Sequence, residues 1–126
     1  MNMHKIISGF FFILAMTLNF GFFYGDAELI SHHSAYELFA AIVVNLIATV
    51  LKLGDKTQLG AVLLATSLVA DIQLIAAATV WSVALYAFDG IGVEATTAIV
   101  SLSGGALLAN GVSVILFISD TVKSKR

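Results

Sequence analysis

The residues from Leu59 to Phe88 form an almost unbroken apolar run, interrupted by one carboxylate, Asp71, by Gln73 and by a few hydroxyls. Apolar runs of about 18 or more residues with few charges are typical of helices that cross a membrane. As a helix this run would be about 45 Å long, which exceeds the roughly 30 Å of hydrocarbon in a bilayer. It therefore predicts a transmembrane helix that is tilted, extended beyond the hydrocarbon, or broken near Asp71 and Gln73.

The composition extends this interpretation to the whole chain. Apolar residues make up 60% of the 126 residues and charged residues 11%, whereas soluble domains carry about a quarter charged residues. Bulky residues at positions 22–24 stand where signal-peptide cleavage would need small ones, so the first apolar segment is predicted to be a retained anchor. We predict an all-α membrane protein, one transmembrane helical domain over residues 1–126, with four spans at about residues 6–24, 36–51, 59–88 and 95–118.

The charges test the four-span prediction independently. All lysines and arginines fall at one end of the spans, namely Lys5, Lys52, Lys56, Lys123, Lys125 and Arg126. Most carboxylates fall at the other end, namely Asp26, Glu28, Glu37, Asp89 and Glu94. By the positive-inside rule both termini are predicted to be cytoplasmic. Five spans, with a break at Asp71, would place the C-terminal basic cluster outside and are the second choice.

Residues at the ends of the spans are expected to meet the lipid headgroups. We expect Lys52, Gly54 and Lys56 to form a cytoplasmic turn whose lysines contact an anionic leaflet. Four aromatic residues are expected in the headgroup region at the outer ends, where amphipathic rings are favoured: Tyr24, Tyr36, Trp81 and Tyr86.

Small residues predict where the helices pack, because helices in lipid associate through close backbone approach. Two stripes of small residues recur at helical spacing on spans three and four, and the packing candidates are Gly60, Ser67, Ala78, Ser101, Gly105 and Ala109. Span one is rich in phenylalanine and is expected to face lipid.

Asp71 is the first functional candidate. An ionisable group at the centre of a bilayer costs about 3 kcal/mol, so it normally faces a protein interior or a water path. Asn45 on span two is a possible hydrogen-bond partner for its carboxyl, and Asn110 is another. Gln73 lies nearly opposite Asp71 on the same helix, so one of these two polar groups is expected to face a neighbouring subunit. A hydrogen bond between Asp71 and Asn45 would serve equally well to hold a bundle together.

The segment Lys52-Leu53-Gly54-Asp55-Lys56-Thr57-Gln58 resembles the signature of the manganese or calcium cation/proton exchangers of the Golgi, chloroplasts and bacteria, with Lys52 in place of that family's Glu. The resemblance implies that Asp55 and Thr57 are cation-ligand candidates. An ordinary structural role is also open, in which Gly54 adopts a positive φ to end span two and Asp55 caps span three.

Over its whole length the chain resembles a family of small uncharacterised four-span inner-membrane proteins of Gram-negative bacteria. This resemblance implies a multi-pass location in the bacterial inner (cytoplasmic) membrane and no activity.

Several classes of function find no support in the sequence. The chain has no cysteine and no grouping of catalytic residues, so we predict that it is not an enzyme and uses no cofactor. His32, His33 and Glu37 form an incomplete ligand set, so no metal site is predicted. No basic tract indicates binding to nucleic acid.

The leading hypothesis is a small homo-oligomeric membrane protein that moves cations or protons as a channel or exchanger. Its path would involve Asp71 and Asn45, with Gln73, Asp55 and Thr57 as further candidates. The alternative is an accessory or assembly subunit of a larger membrane complex, in which Gln73 and the small-residue stripes would be contact surfaces.

Overall fold

The computed structural model describes residues 3–26, 35–54, 57–87 and 92–124. They form four long α-helices, and no strand is present in these ranges. The helices are α1 (Met3–Asp26), α2 (Ala35–Leu53), α3 (Gln58–Ala87) and α4 (Val93–Ser124). Each is long and apolar enough to cross a membrane. The all-α prediction is confirmed, and the chain is a small multi-pass membrane protein.

The longest apolar run forms one continuous helix. α3 passes through Asp71 and Gln73 without interruption, so the five-span alternative, which needs a break there, is wrong. At 30 residues α3 is about 45 Å long, whereas the 19 residues of α2 reach about 28 Å. α2 is therefore just long enough to cross the hydrocarbon.

The four helices form a ring in chain order. α1 packs against α2, α2 against α3, α3 most extensively against α4, and α4 closes the ring against α1. Neighbours are antiparallel, so the N-termini of α1 and α3 share one end with the C-termini of α2 and α4. We call this the basic end, because Lys5 and Lys123 lie there, and the opposite end, with Glu37 and Glu94, the acidic end. At the basic end Lys5 Nζ and Asp120 Oδ2, 3.3 Å apart, join α1 to α4.

The interior of the acidic half is apolar. The rings of Phe22 and Trp81 stack there, with centroids 5.8 Å apart, against the fully buried side chains of Leu74 and Ile99. We call these four residues the apolar layer. A smaller apolar cluster around Phe12 lies towards the basic end.

Two sequence expectations about aromatic residues are wrong in part. Trp81 is only 8% exposed, because its ring stacks on Phe22 instead of reaching the headgroups, whereas Tyr24, Tyr36 and Tyr86 are exposed. Only part of the surface of α1 faces lipid. Its Phe10 and Phe20 are exposed, but Phe12 and Phe22 turn inward into the two apolar clusters.

The small-residue stripes coincide with the packed faces at all but one position. Gly60 and Ser67 are buried, and Ala78, Gly105 and Ala109 are partly buried. Ser101 is exposed, so the packing role predicted for it is wrong. The fully buried residue of this turn of α4 is Ser103.

Candidate functional site

Lys52 lies at the centre of the bundle. It is 3% exposed, and its Nζ donates hydrogen bonds to Ser67 Oγ on α3 and Ser113 Oγ on α4, both at 2.5 Å. The ammonium group also lies 4.4 Å from the ring centroid of Phe12 on α1, within the range of a cation–π interaction. One side chain of α2 thus contacts all three other helices.

The predicted headgroup contact of Lys52 is wrong, and the lengths of the helices explain why. Lys52 belongs to the last turn of α2, not to the turn that follows. Its partner Ser67 lies about 14 Å along α3 from Gln58, the first residue of that helix. The longer helices therefore extend past the end of α2 and enclose it, and two hydroxyls and a ring take the place of water and lipid headgroups.

Asp71 is buried beside α2. It is 6% exposed, and Thr49 Oγ1 donates a hydrogen bond to its Oδ2 at 2.6 Å. The same hydroxyl lies 2.9 Å from the backbone carbonyl oxygen of Asn45. A hydroxyl has one proton to donate, so Thr49 donates to Asp71 when the carboxylate is ionised. When Asp71 is protonated, its carboxyl can donate to Thr49, whose proton then turns to the carbonyl.

The two charged residues belong to one polar cluster, which we define as Lys52, Asp71, Thr49, Ser67 and Ser113. Lys52 and Asp71 carry opposite charges within this cluster, although no hydrogen bond of the described residues joins them directly. Opposite charges that are buried close together offset part of the cost of removing each from water.

The polar cluster lies beside the last turns of α2 but about halfway along α3, since Asp71 is 13 residues from Gln58 and 16 residues from Ala87. Asp71 is level with its partner Thr49, which lies about 6 Å from the end of α2. Asp71 is therefore level with the end of α2 although it is central in α3, because α3 extends well beyond the end of the shorter helix.

Asn45 does not bond to the carboxyl as expected. Its Nδ2 donates to the carbonyl oxygen of Ala41 at 2.8 Å, and Thr49, one turn nearer the basic end, takes the predicted place. Asn45 Oδ1 and Asp71 Oδ1 are buried without a hydrogen-bond partner among the described residues. The same is true of Nδ2 of Asn110 and of both amide atoms of Asn19.

Both Gln73 and Asp71 lie inside the bundle, so the prediction that one of them faces a neighbouring subunit is wrong. α3 sits between α2 and α4, and Gln73 points to α4 while Asp71 points to α2. A Cβ atom added at Gly105 would lie 2.6 Å from Gln73 Nε2. Both polar directions of α3 therefore remain within one chain.

We expect Gly105→Leu to lower the free energy of unfolding by about 1–3 kcal/mol, because the new side chain overlaps Gln73 in a close interface. Gly105→Ala should lower the free energy of unfolding by less, because the flexible side-chain amide of Gln73 can shift away from the new Cβ. Adding Gln73→Ala to Gly105→Ala should remove that smaller loss. Denaturation in mixed micelles measures the effect. The control is Gly111→Leu, because a Cβ there meets no atom within 4 Å. Equal losses at positions 105 and 111 would contradict the assignment.

The Gly-Asp-Lys-Thr segment is described only at its two ends. Thr57 caps α3, since Gly60 N–H donates to Thr57 Oγ1 at 3.0 Å and Ala61 N–H donates to the Thr57 carbonyl oxygen at 3.1 Å. Thr57 is thus a capping residue of α3, and the capping predicted for Asp55 lies outside the described residues. Gly54 does not have the predicted positive φ.

Other predicted residues lie outside the described ranges. They are Asp55, Lys56, His32 and His33, so cation binding by Asp55 stays a prediction. Within the described ranges no three His, Cys, Asp or Glu residues are grouped so that they could hold a metal ion.

Comparison with known proteins gives one match. The model of a family of unknown function, DUF6394, matches residues 32–121, which is more than two thirds of the chain. No curated protein and no solved structure matches. The matched region includes every member of the polar cluster, whereas Phe12 and Asn19 on α1 precede it.

Proposed function

The chain belongs to DUF6394, a family of unknown function, and we propose that it moves protons in the membrane, with Asp71 as the proton-carrying group and Lys52 as its fixed counter-charge. The observation that supports this most strongly is a carboxyl and an ammonium group buried together in an apolar bundle, each hydrogen-bonded to hydroxyls. Ionisable residues are rarely kept inside a membrane without a role in moving charge.

The surroundings of Asp71 favour a proton over a metal ion. A dehydrated cation at Asp71 would meet the ammonium group of Lys52, and like charges repel strongly away from water. The hydroxyls of Ser67 and Ser113 already accept hydrogen bonds from Lys52, so they are poor candidates for metal ligands. A proton needs only a group that can bind and release it, and the Asp71 carboxyl is such a group. Thr49 Oγ1 donates a hydrogen bond to it when it is ionised and can accept one from it when it is protonated.

The apolar layer limits how a proton would cross. Phe22, Trp81, Leu74 and Ile99 fill the interior between the polar cluster and the acidic end. We therefore propose that Asp71 exchanges protons with the basic end in this conformation, and that release at the acidic end requires the layer to part.

Orientation and oligomeric state belong to the same proposal. Lys5 and Lys123 at the basic end favour a cytoplasmic basic end in a bacterial inner membrane. The polar cluster lies within one chain, so a proton path needs no axis between subunits. A homo-oligomer is still proposed, and native mass measurement in mild detergent tests it.

Proton flux into reconstituted vesicles tests the function. With a pH-sensitive dye inside and a potassium diffusion potential as driving force, we expect Asp71→Asn to reduce flux to that of empty vesicles, because the amide cannot carry the proton. Asp120→Asn is the matched control, since Asp120 is a half-exposed carboxylate paired with Lys5, and it should keep wild-type flux. Wild-type flux in Asp71→Asn would refute the proposal.

The competing hypothesis is an accessory subunit of a larger complex, which would copurify with partners and show no flux alone. Its predicted contact residue Gln73 packs against α4 within the chain. The observation that favoured this alternative is therefore weaker than the sequence indicated.

A further inference from the structure

Several buried polar atoms of the described residues lack a hydrogen-bond partner. They are Asp71 Oδ1, Asn45 Oδ1, both amide atoms of Asn19, Asn110 Nδ2 and Gln73 Oε1. Asn19 and Asn45 are completely buried. A polar group left unsatisfied in hydrocarbon costs several kcal/mol, so these atoms need partners that the described residues do not supply.

The register of the helices orders these atoms by depth. Asp71 follows Ser67 by four residues on α3, and Asn110 precedes Ser113 by three residues on α4, so they lie about 6 Å and about 4.5 Å deeper than the serines that hold Lys52. Asn45 lies one further turn from Thr49, the partner of Asp71.

Asn19 reaches a similar depth from the other side of the bundle. It follows Phe12, which lies under the Lys52 ammonium group, by seven residues, or about 10 Å of helix. Gln73 lies apart, because its amide faces Gly105. The remaining atoms thus form two levels beyond Lys52, and about 6 Å between levels is the span of two hydrogen bonds of roughly 2.8 Å through one water molecule.

The chemistry of these atoms indicates which ligand they bind. Asn110 Nδ2 and Asn19 Nδ2 are donors, and Lys52 has a third N–H beyond the two given to the serines. Asp71 Oδ1, Asn45 Oδ1 and Asn19 Oδ1 are acceptors. A cation would need oxygens alone and would meet Lys52, while an anion would need donors alone and would meet Asp71. Water both donates and accepts, and buried water typically makes about three hydrogen bonds.

We propose that the bundle binds a row of water molecules, running from Lys52 and Asp71 to Asn45 and Asn19 and ending at the apolar layer. The role of this row in moving protons rests on the proposed function, because the waters would carry the proton of Asp71 about one further turn towards the acidic end. The water sites themselves rest only on the unsatisfied atoms and the register.

Magnetisation transfer from water, measured by NMR on the full ¹⁵N-labelled chain in lipid nanodiscs, tests the water row. We expect cross-peaks between water and the side-chain amides of Asn19, Asn45 and Asn110, each assigned by its loss in the corresponding Asn→Leu variant. The backbone amides of Trp81 and Ile99, in the apolar layer beyond the level of Asn45, should give none. Absence of water cross-peaks at both Asn19 and Asn45 would overturn the inference.

A variant and the flux assay separate this inference from the proposed function. Asn45→Leu should at least halve the water signal of Asn19, because it removes an acceptor from the deeper level. An unchanged Asn19 signal in a folded variant would contradict a connected row, and the wild-type spectrum decides the matter if the variant does not fold. Water cross-peaks without any proton flux would support the water row and refute the function. Proton flux that depends on Asp71, without water cross-peaks at Asn19 and Asn45, would support the function and refute the water row.

Discussion

Lys52→Met is expected to lower the free energy of unfolding by about 3–5 kcal/mol, because it leaves Asp71 buried without its compensating charge. The variant keeps a side chain of similar length, so the loss reflects charge and hydrogen bonding more than packing. It also removes the donor that Ser67 and Ser113 share. Reversible unfolding in mixed micelles, followed by circular dichroism, measures the difference.

A second substitution separates charge compensation from general damage. Lys52→Met combined with Asp71→Asn should recover most of the loss, because replacing both members of a buried pair is often close to neutral. The matched control is Lys5→Met, which breaks the half-exposed pair with Asp120 and should cost no more than about 1 kcal/mol. If Lys52→Met is as mild as Lys5→Met, or if the double variant is no more stable than the single one, the two charges do not support each other.

Trp81→Ala should have the other large effect, a loss of about 3–5 kcal/mol in unfolding free energy. Trp81 is nearly buried against Phe22, so alanine leaves a cavity in the apolar layer. Under the proposed function the same variant should also raise proton flux, because the barrier between the polar cluster and the acidic end becomes thinner. Unfolding in micelles and the vesicle assay read the two effects separately.

Two substitutions on α3 control for this result. Tyr86→Ala removes an aromatic side chain that is 88% exposed and should change the stability by no more than about 0.5 kcal/mol. Trp81→Phe keeps a ring over Phe22 and should restore most of the stability and the low flux. A Trp81→Ala variant as stable as Tyr86→Ala would mean that the stack with Phe22 contributes little to the bundle.

The sequence was sufficient for the fold class but not for the direction of individual side chains. Four apolar runs separated by charged segments predict four helices, because length and hydropathy decide which segments can cross a bilayer. Hydropathy carries no information on whether Trp81 faces the headgroups or Phe22. For the same reason Ser101 fitted a packing stripe yet lies on the exposed side of α4.

A single carboxylate within a long apolar run was enough to identify Asp71 as a candidate. The residues that surround Asp71 in the folded bundle could not be predicted in the same way. The signal for them was present. Asn45, Thr49 and Lys52 follow one another on one face of α2, Ser67 and Asp71 on α3, and Asn110 and Ser113 on α4, each at the spacing of neighbouring helical turns. Which stripes meet depends on the register between helices, and that register depends on how far α3 extends past α2. If both helices are assumed to begin at the same depth, Asp71 is predicted to lie nearer to Asn45 than to Thr49, whereas its partner in the structure is Thr49.

The unequal lengths of the helices also affect the surrounding phospholipids. Acyl chains beside α2 meet an apolar surface about 28 Å high, whereas those beside α3 meet one of about 45 Å. Such a mismatch is relieved by tilt of the longer helix or by local thickening of the bilayer beside it. Because Lys52 is carried on the shortest helix, a change in membrane thickness would strain the bundle first at the level of its buried charges.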